Sequence, residues 1–440
     1  MGRPPINPKD LLKLYIYGMD NGIQSSRKLD RECKRNIEAM WLLNGLQPDD
    51  KTICNFRREN AEHLARFFSE FSRTLAEAGY IDGKIVAIDG TKIRANNSKR
   101  NNFSAKKLER HIAYIDGKIA EYMQELDIND RHEDTRAHKV TEDRITDLRA
   151  RKVKYEGFME RIERGDVTEV STTDPDSRLM KQGNNGVDVS FNVQAAVDSK
   201  HKLIAGILVT NALNDQGQLA KVAKAVKKNC GLKKMITPAD KGYYDTDDIK
   251  ECHEAEITTI VAKSKDKEPA EGIDFKKTDF QYDKENDCYH CPTGQILKFF
   301  TEDKSGIRRY QTTKVCKNCP HKTRCTESTR RVITRHKFAE HAEQNDLDFK
   351  EKYAIYKLRQ LLCEHPFGTI KRTMNIRQFL TRGLRGTTAE AALIFLCYNF
   401  KRLRTICHQK GGKDADSVLL FQLFIAFAII STFFTPTMKN

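Results

Sequence analysis

Lys84-Ile85-Val86-Ala87-Ile88-Asp89-Gly90 is the stretch on which the reading of the fold turns. A short apolar run rich in β-branched residues, closed by an acid and a glycine, predicts a buried strand with Asp89 at its exit. Two further strands are expected at 187–198 and 202–210. They are followed by a helix at 216–228, a strand at 234–239 that ends at Asp240, a helix at 246–255 and a strand at 257–262. Strands followed by alternating helices and strands describe an α/β sheet domain. In such sheets ligands bind beyond the carboxyl ends of strands, which is where Asp89 and Asp240 are expected.

Upstream of this run the period is helical. Asn7-Pro8 is a helix start, Ser25/Ser26 and Asp49/Asp50 are capping candidates, and Gly22 and Gly45 mark ends. Ile53, Phe56, Asn60, Leu64, Phe67, Phe71 and Leu75 recur at steps of three and four, predicting one helix with Arg57, Arg58 and Arg66 outward. Residues 1–80 therefore read as a helical DNA-binding domain of the helix-turn-helix kind, or as a helical cap or dimerisation module. Gly2-Arg3-Pro4 carries the core of a minor-groove hook, a weak signal on its own.

Two inserts interrupt the sheet domain, which is expected to occupy 81–263 and 331–410. Residues 104–165 are charged, with apolar residues on helical spacing, and predict an antiparallel helical hairpin with Asp130 to Asp134 near its tip. Residues 264–330 hold five of the 12 cysteines, in the pattern Cys288-x2-Cys291 and Cys316-x2-Cys319-x5-Cys325. Two such knuckles supply the thiolates of a tetrahedral Zn²⁺ site. Cys291, Cys316, Cys319 and Cys325 are the favoured set, because Cys291-Pro292-Thr293-Gly294 has turn chemistry; Cys288 is a substitute for one of them. A polar insert with few apolar residues needs a staple, so this zinc is expected to be structural.

Beyond the insert, a helix is expected at 337–363 and another at 388–404. Residues 411–440 form a tail containing an apolar run, Val418 to Phe434. That run is short for a membrane span and lacks an interfacial tryptophan, so it reads as a buried helix or an altered C-terminus. No apolar stretch precedes Lys9 and Asp10, which points to a cytoplasmic protein without a secretory signal. Across its 440 residues the chain carries 77 Lys and Arg against 61 Asp and Glu, a net charge of +16. That surplus favours a polyanionic partner over an acidic-substrate binder, and the length excludes a peptide hormone.

Spacing alone does not select catalytic acids from 61. Motif order does. Asn21-Gly22-Ile23 through Phe56-Arg57, Ile88-Asp89-Gly90-Thr91-Lys92, Thr173-Asp174-Pro175-Asp176-Ser177-Arg178, Asn192-Val193-Gln194, Ala239-Asp240-Lys241-Gly242-Tyr243, the cysteine knuckles and Glu364-His365-Pro366-Phe367-Gly368 follow one another along the chain. Together they resemble DDE transposases of bacterial insertion sequences, of the branch with a Tyr-Arg-Glu-Lys signature. The resemblance covers about residues 5–403 and leaves the apolar tail unmatched.

The resemblance implies an RNase H-like catalytic domain in which Asp89, Asp240 and Glu364 hold Mg²⁺ or Mn²⁺ for two-metal phosphoryl transfer. It implies binding of terminal inverted repeats, strand cleavage, and joining of 3′-hydroxyls to target DNA by an enzyme acting as a homodimer on DNA ends. Tyr356, Arg359 and Lys371 match the signature, and with Tyr243 and Arg57 they are the expected DNA contacts. Four residues rather than three separate Arg359 from Glu364, which turns Arg359 by about 100° relative to the acid. The competing reading is a catalytically inactive, element-derived DNA-binding regulator held folded by zinc.

Overall fold

The computed structural model describes residues 6–131, 135–182, 186–264, 273–312 and 315–409. The N-terminal minor-groove candidate, His132 to Asp134 at the hairpin tip, and the apolar tail lie outside the described residues.

Five helices come first: α1 (Pro8–Asp20), α2 (Ser26–Arg35), α3 (Ile37–Leu42), α4 (Asp50–Glu59) and α5 (Ala61–Glu77). Asn7 caps α1 by accepting from Lys9 N at 3.0 Å, and Asp49 caps α4 by accepting from Thr52 N at 2.7 Å. The single helix expected from Ile53 to Leu75 is instead broken at Asn60, whose side-chain amide donates to Phe56 O at 2.9 Å, closing α4. The break re-aims α4, and Arg57, expected outward, is buried at 6% exposure. It lies 3.7 Å from the fully buried Glu390 and 5.6 Å from the Tyr15 ring centroid. Arg58 and Arg66 do face solvent.

The chain then enters the sheet through β1 (Val86–Arg94). The short strands β2 (Asn102–Phe103) and β3 (Val170–Ser171) pair at the base of a helical hairpin made of α6 (Ala105–Arg131) and α7 (Thr135–Glu163). Phe103, Tyr155 and Phe158 cluster there, with ring centroids 5.3 to 6.4 Å apart. Strands β4 (Arg178–Lys181), β5 (Val187–Asp198) and β6 (Ile204–Thr210) follow. Next come α8 (Leu219–Asn229), β7 (Met235–Ala239), α9 (Thr246–Glu254) and β8 (Ile257–Val261). The sheet order is β5-β1-β7-β8, with β4 and β6 sharing the other edge of β5. β5 runs antiparallel to β1, whereas β1, β7 and β8 are parallel. Val86, Ala87 and Ile88 are all buried, as a strand covered on both faces requires.

A second, five-stranded antiparallel sheet is built from β9 (Gln281–Asp283), β10 (Cys288–His290), β11 (Ile296–Glu302) and β12 (Ile307–Gln311). After the one-turn α10 (Lys322–Cys325), β13 (Val332–His336) completes it. The chain returns to the first sheet through α11 (Ala339–Glu351), α12 (Tyr353–Gly368) and α13 (Gly383–Gln409). The helix expected over 337–363 is thus two helices, separated at Lys352.

One hydrophobic cluster runs from Leu11 through the strands to Leu403, so the N-terminal helices and the main sheet share a core. α13 is central to it, and its start explains the Thr173 to Arg178 motif. Asp174 accepts from Gly383 N at 3.1 Å and Asp176 from Leu384 N at 2.8 Å, capping the helix with acids that are structural.

Candidate active site

Asp89 and Asp240 come together through strand pairing. Ile88 pairs with Ala239 in parallel register, so the next residue of each strand is an aspartate. β7 ends at Ala239, and Asp240 turns into a short helical segment by accepting a hydrogen bond from Lys241 N at 2.6 Å. β1 does not end there. It continues to Arg94 against β5, which places Asp89 in the middle of its strand rather than at the expected exit. Its pairing with β7 is at Ile88, and its far end bridges the segment after α12 through Arg94 and Gln378.

Alternation along β1 sends Asp89 and Thr91 to one face and Gly90 and Lys92 to the other. On the first face, Arg359 of α12 donates to Asp89 Oδ2 at 3.0 Å and lies 5.8 Å from the Tyr356 ring centroid. Lys371, just beyond α12, donates to Thr91 Oγ1. Burial pushes Asp89 up to about 6; the Arg359 guanidinium and the Gly90 N–H oppose this, and the negative charges of Asp240 and Asp215 add to it. Burial lowers Lys371 from its ordinary value.

Glu364 is exposed on α12 and accepts from Gln360 Nε2 at 2.8 Å. It stands five positions after Arg359, about 140° around the helix axis, so the two present to different sides. The fully buried Cys363 occupies the inward position beside it. Tyr243, expected to contact DNA, is also fully buried: its hydroxyl donates to Gln194 Oε1, which corrects that expectation.

Sequence reasoning missed Asp215, which lies on the Gly90 and Lys92 face. Its Oδ1 accepts from Lys92 Nζ at 3.1 Å, Asn192 Nδ2 at 2.8 Å and Gln194 Nε2 at 2.9 Å. Gly90 leaves the room for this group, since a Cβ there would meet Gln194 Nε2 at 2.7 Å and Asp215 Oδ1 at 2.8 Å. The rule that singled out Asp89 and Asp240, an acid closing an apolar run, passes over Asp215, which stands five residues beyond the end of β6.

The oxygen donors of Asp89 and Asp240 suit a hard divalent cation. The second sheet offers the opposite chemistry. Cys291, Cys316, Cys319 and Cys325 line one cavity of about 30 Å³. Gly294 takes φ +82° in the first knuckle, and Gln295 N donates to Cys291 Sγ at 3.3 Å. Thiols are the ligands of a soft-metal site, and these four share one lining. Cys288 does not join them. It pairs across the ladder with Asp283, and with His290 these two offer ligand atoms within 4.8 Å of one another, at a separate place.

Among the described residues, no helix is long and apolar enough to cross a membrane. Residues 290–404 match a family model described as Transposase DDE domain, and residues 1–59 match one described as Transposase domain (DUF772). The first match spans Tyr356, Arg359, Glu364, Lys371 and the four cysteines of that cavity; Asp89, Asp215 and Asp240 lie outside both. No curated protein and no solved structure matches the chain.

Proposed function

Starting from the two family matches, which indicate an insertion-sequence transposase of the DDE type, we propose that the chain binds the terminal inverted repeats of its element and cleaves and transfers their strands. Asp89, Asp240 and Glu364 form the acidic centre of an RNase H-like domain. The observation that carries this reading is the Ile88–Ala239 pairing, after which each of two distant strands runs into an aspartate; Glu364 is added by its place in the signature on α12, on the solvent-exposed side of that helix.

Mg²⁺ or Mn²⁺ held by these carboxylates would supply Lewis-acid stabilisation of the attacking and leaving oxygens. The chain's own residues do the rest. Arg359 balances the charge of Asp89 in the free protein and, with Lys371 and Tyr356, stands where phosphates near the scissile bond would be neutralised. Sequence is read elsewhere, because phosphate contacts position a duplex without specifying it. The helical block supplies that reading through solvent-facing residues such as Arg58 and Arg66, and Arg57 is excluded from it by burial. Pairing two ends requires two protomers. Four thiols hold a structural Zn²⁺ in the second sheet.

The test is strand cleavage of DNA bearing the element's own ends in Mg²⁺. Asp89→Ala, Asp240→Ala and Glu364→Ala should each reduce cleavage to background while binding persists and falls steeply with salt. Cleavage by folded variants at the wild-type rate would remove the triad assignment. Tight binding by the wild type without nicking in any divalent metal would favour the inactive regulator.

A further inference from the structure

Asp215 is the hub of a polar cluster that ties together the two segments carrying Asp89 and Asp240. A carboxylate accepts hydrogen bonds and donates none, so its Oδ1 fixes the amide nitrogens of both Asn192 and Gln194 toward itself. Gln194 then has its carbonyl oxygen left for Tyr243, whose hydroxyl donates to it. Tyr243 lies three residues after Asp240 and closes the same turn, its N–H donating to Asp240 O at 2.9 Å. On the other side, Lys92 lies three residues after Asp89 on β1 and donates to the same Oδ1. Asn192 and Gln194 are themselves fully buried, and stand opposite Lys92 and Gly90 in the β1–β5 register.

The chain of contacts Lys92, Asp215, Gln194, Tyr243 therefore spans from the strand of one aspartate to the turn of the other. A neutral amide at 215 could donate as well as accept, so it would no longer dictate which end of Gln194 faces Tyr243.

Resting on the proposed reading of Asp89 and Asp240 as a metal-holding pair, we propose that Asp215 is a positioning residue: through Lys92 on one side and Gln194 and Tyr243 on the other, it fixes the separation of those two aspartates and so sets their affinity for a divalent cation. Groups that orient metal ligands commonly change metal affinity by about 10–100-fold when altered.

The test uses the full chain and Mn²⁺ alone. Free Mn²⁺ is followed by its electron paramagnetic resonance signal during titration, with circular dichroism as a check of folding. Asp215→Asn should weaken Mn²⁺ binding about 10-fold or more. Tyr243→Phe, which removes one hydroxyl, should weaken it in the same direction, and the double variant should be no weaker than Asp215→Asn. Wild-type Mn²⁺ affinity in folded Asp215→Asn overturns the proposal. If Asp215→Asn does not fold, wild-type affinity in Tyr243→Phe overturns it. Mn²⁺ binding that Asp89→Ala leaves intact fails differently: it removes the metal-pair reading on which this one stands.

Discussion

The two sheets differ in what holds them. The sheet of β1 and β4 to β8 lies in a core shared with helices from both ends of the chain. Among the described residues, the cysteine-bearing sheet has a small cluster of its own, Phe280, Tyr289, Leu297, Tyr310 and Ile333, with Phe275 and Tyr282 partly buried against it. So small a cluster does little against the entropy of ordering such a lobe, and in the proposed reading a zinc held by four thiols takes over work that burial does in the main sheet. The difference also separates two metal roles. On the proposed reading, acids at strand edges are available for chemistry where burial suffices, and a metal holds the fold where it does not.

Three changes would break or sharpen this comparison. The largest effect belongs to zinc. Stripping it with a chelator, or Cys319→Ser, should unfold the second sheet, since structural Zn²⁺ contributes about 10–16 kcal/mol in small zinc domains. Hydrogen exchange should then show lost protection over 281–336 and retained protection in β1, β5 and β7; equal loss in both sheets would erase the distinction.

Next is Arg57→Met. It removes the partner of Glu390, which is fully buried and also accepts from Leu380 N, Thr381 N and Thr381 Oγ1. Breaking a buried pair costs about 3–5 kcal/mol, measurable by urea unfolding. No change in the midpoint would mean that Arg57 is not held inward.

The smallest is Gly90→Ala. Crowding Gln194 and Asp215 should cost about 1–3 kcal/mol of stability, with the second sheet's exchange protection unaltered.

Strand runs and helix period carried much of the architecture. The strand ending at Asp240 and the helix after it are visible in the chain because apolar, β-branched runs and capping acids are local signals. The turn at Gly294 was equally legible, from the Cys-Pro-x-Gly pattern, and the four cysteines chosen by spacing do line one cavity. What escaped depends on distant partners. Nothing near Arg57 announces that Glu390 will be buried beside it, and the break at Asn60 that re-aims it interrupts an otherwise unbroken apolar period. Asp89 looked like a strand end because glycine follows it; β5, arriving a hundred residues later, keeps the strand going. Asp215 is defined by Lys92, Asn192 and Gln194, none of which is its neighbour in sequence.

The central claim is that Asp240 holds the reaction's metal beside Asp89, and exchanging one ligand atom tests it most directly. Asp240→Cys replaces a carboxylate with a thiolate, which Mg²⁺ accepts poorly and the softer Mn²⁺ tolerates better. Strand cleavage by this variant should fall to background in Mg²⁺ and recover in Mn²⁺. Cleavage in Mg²⁺ at the wild-type rate would contradict the account.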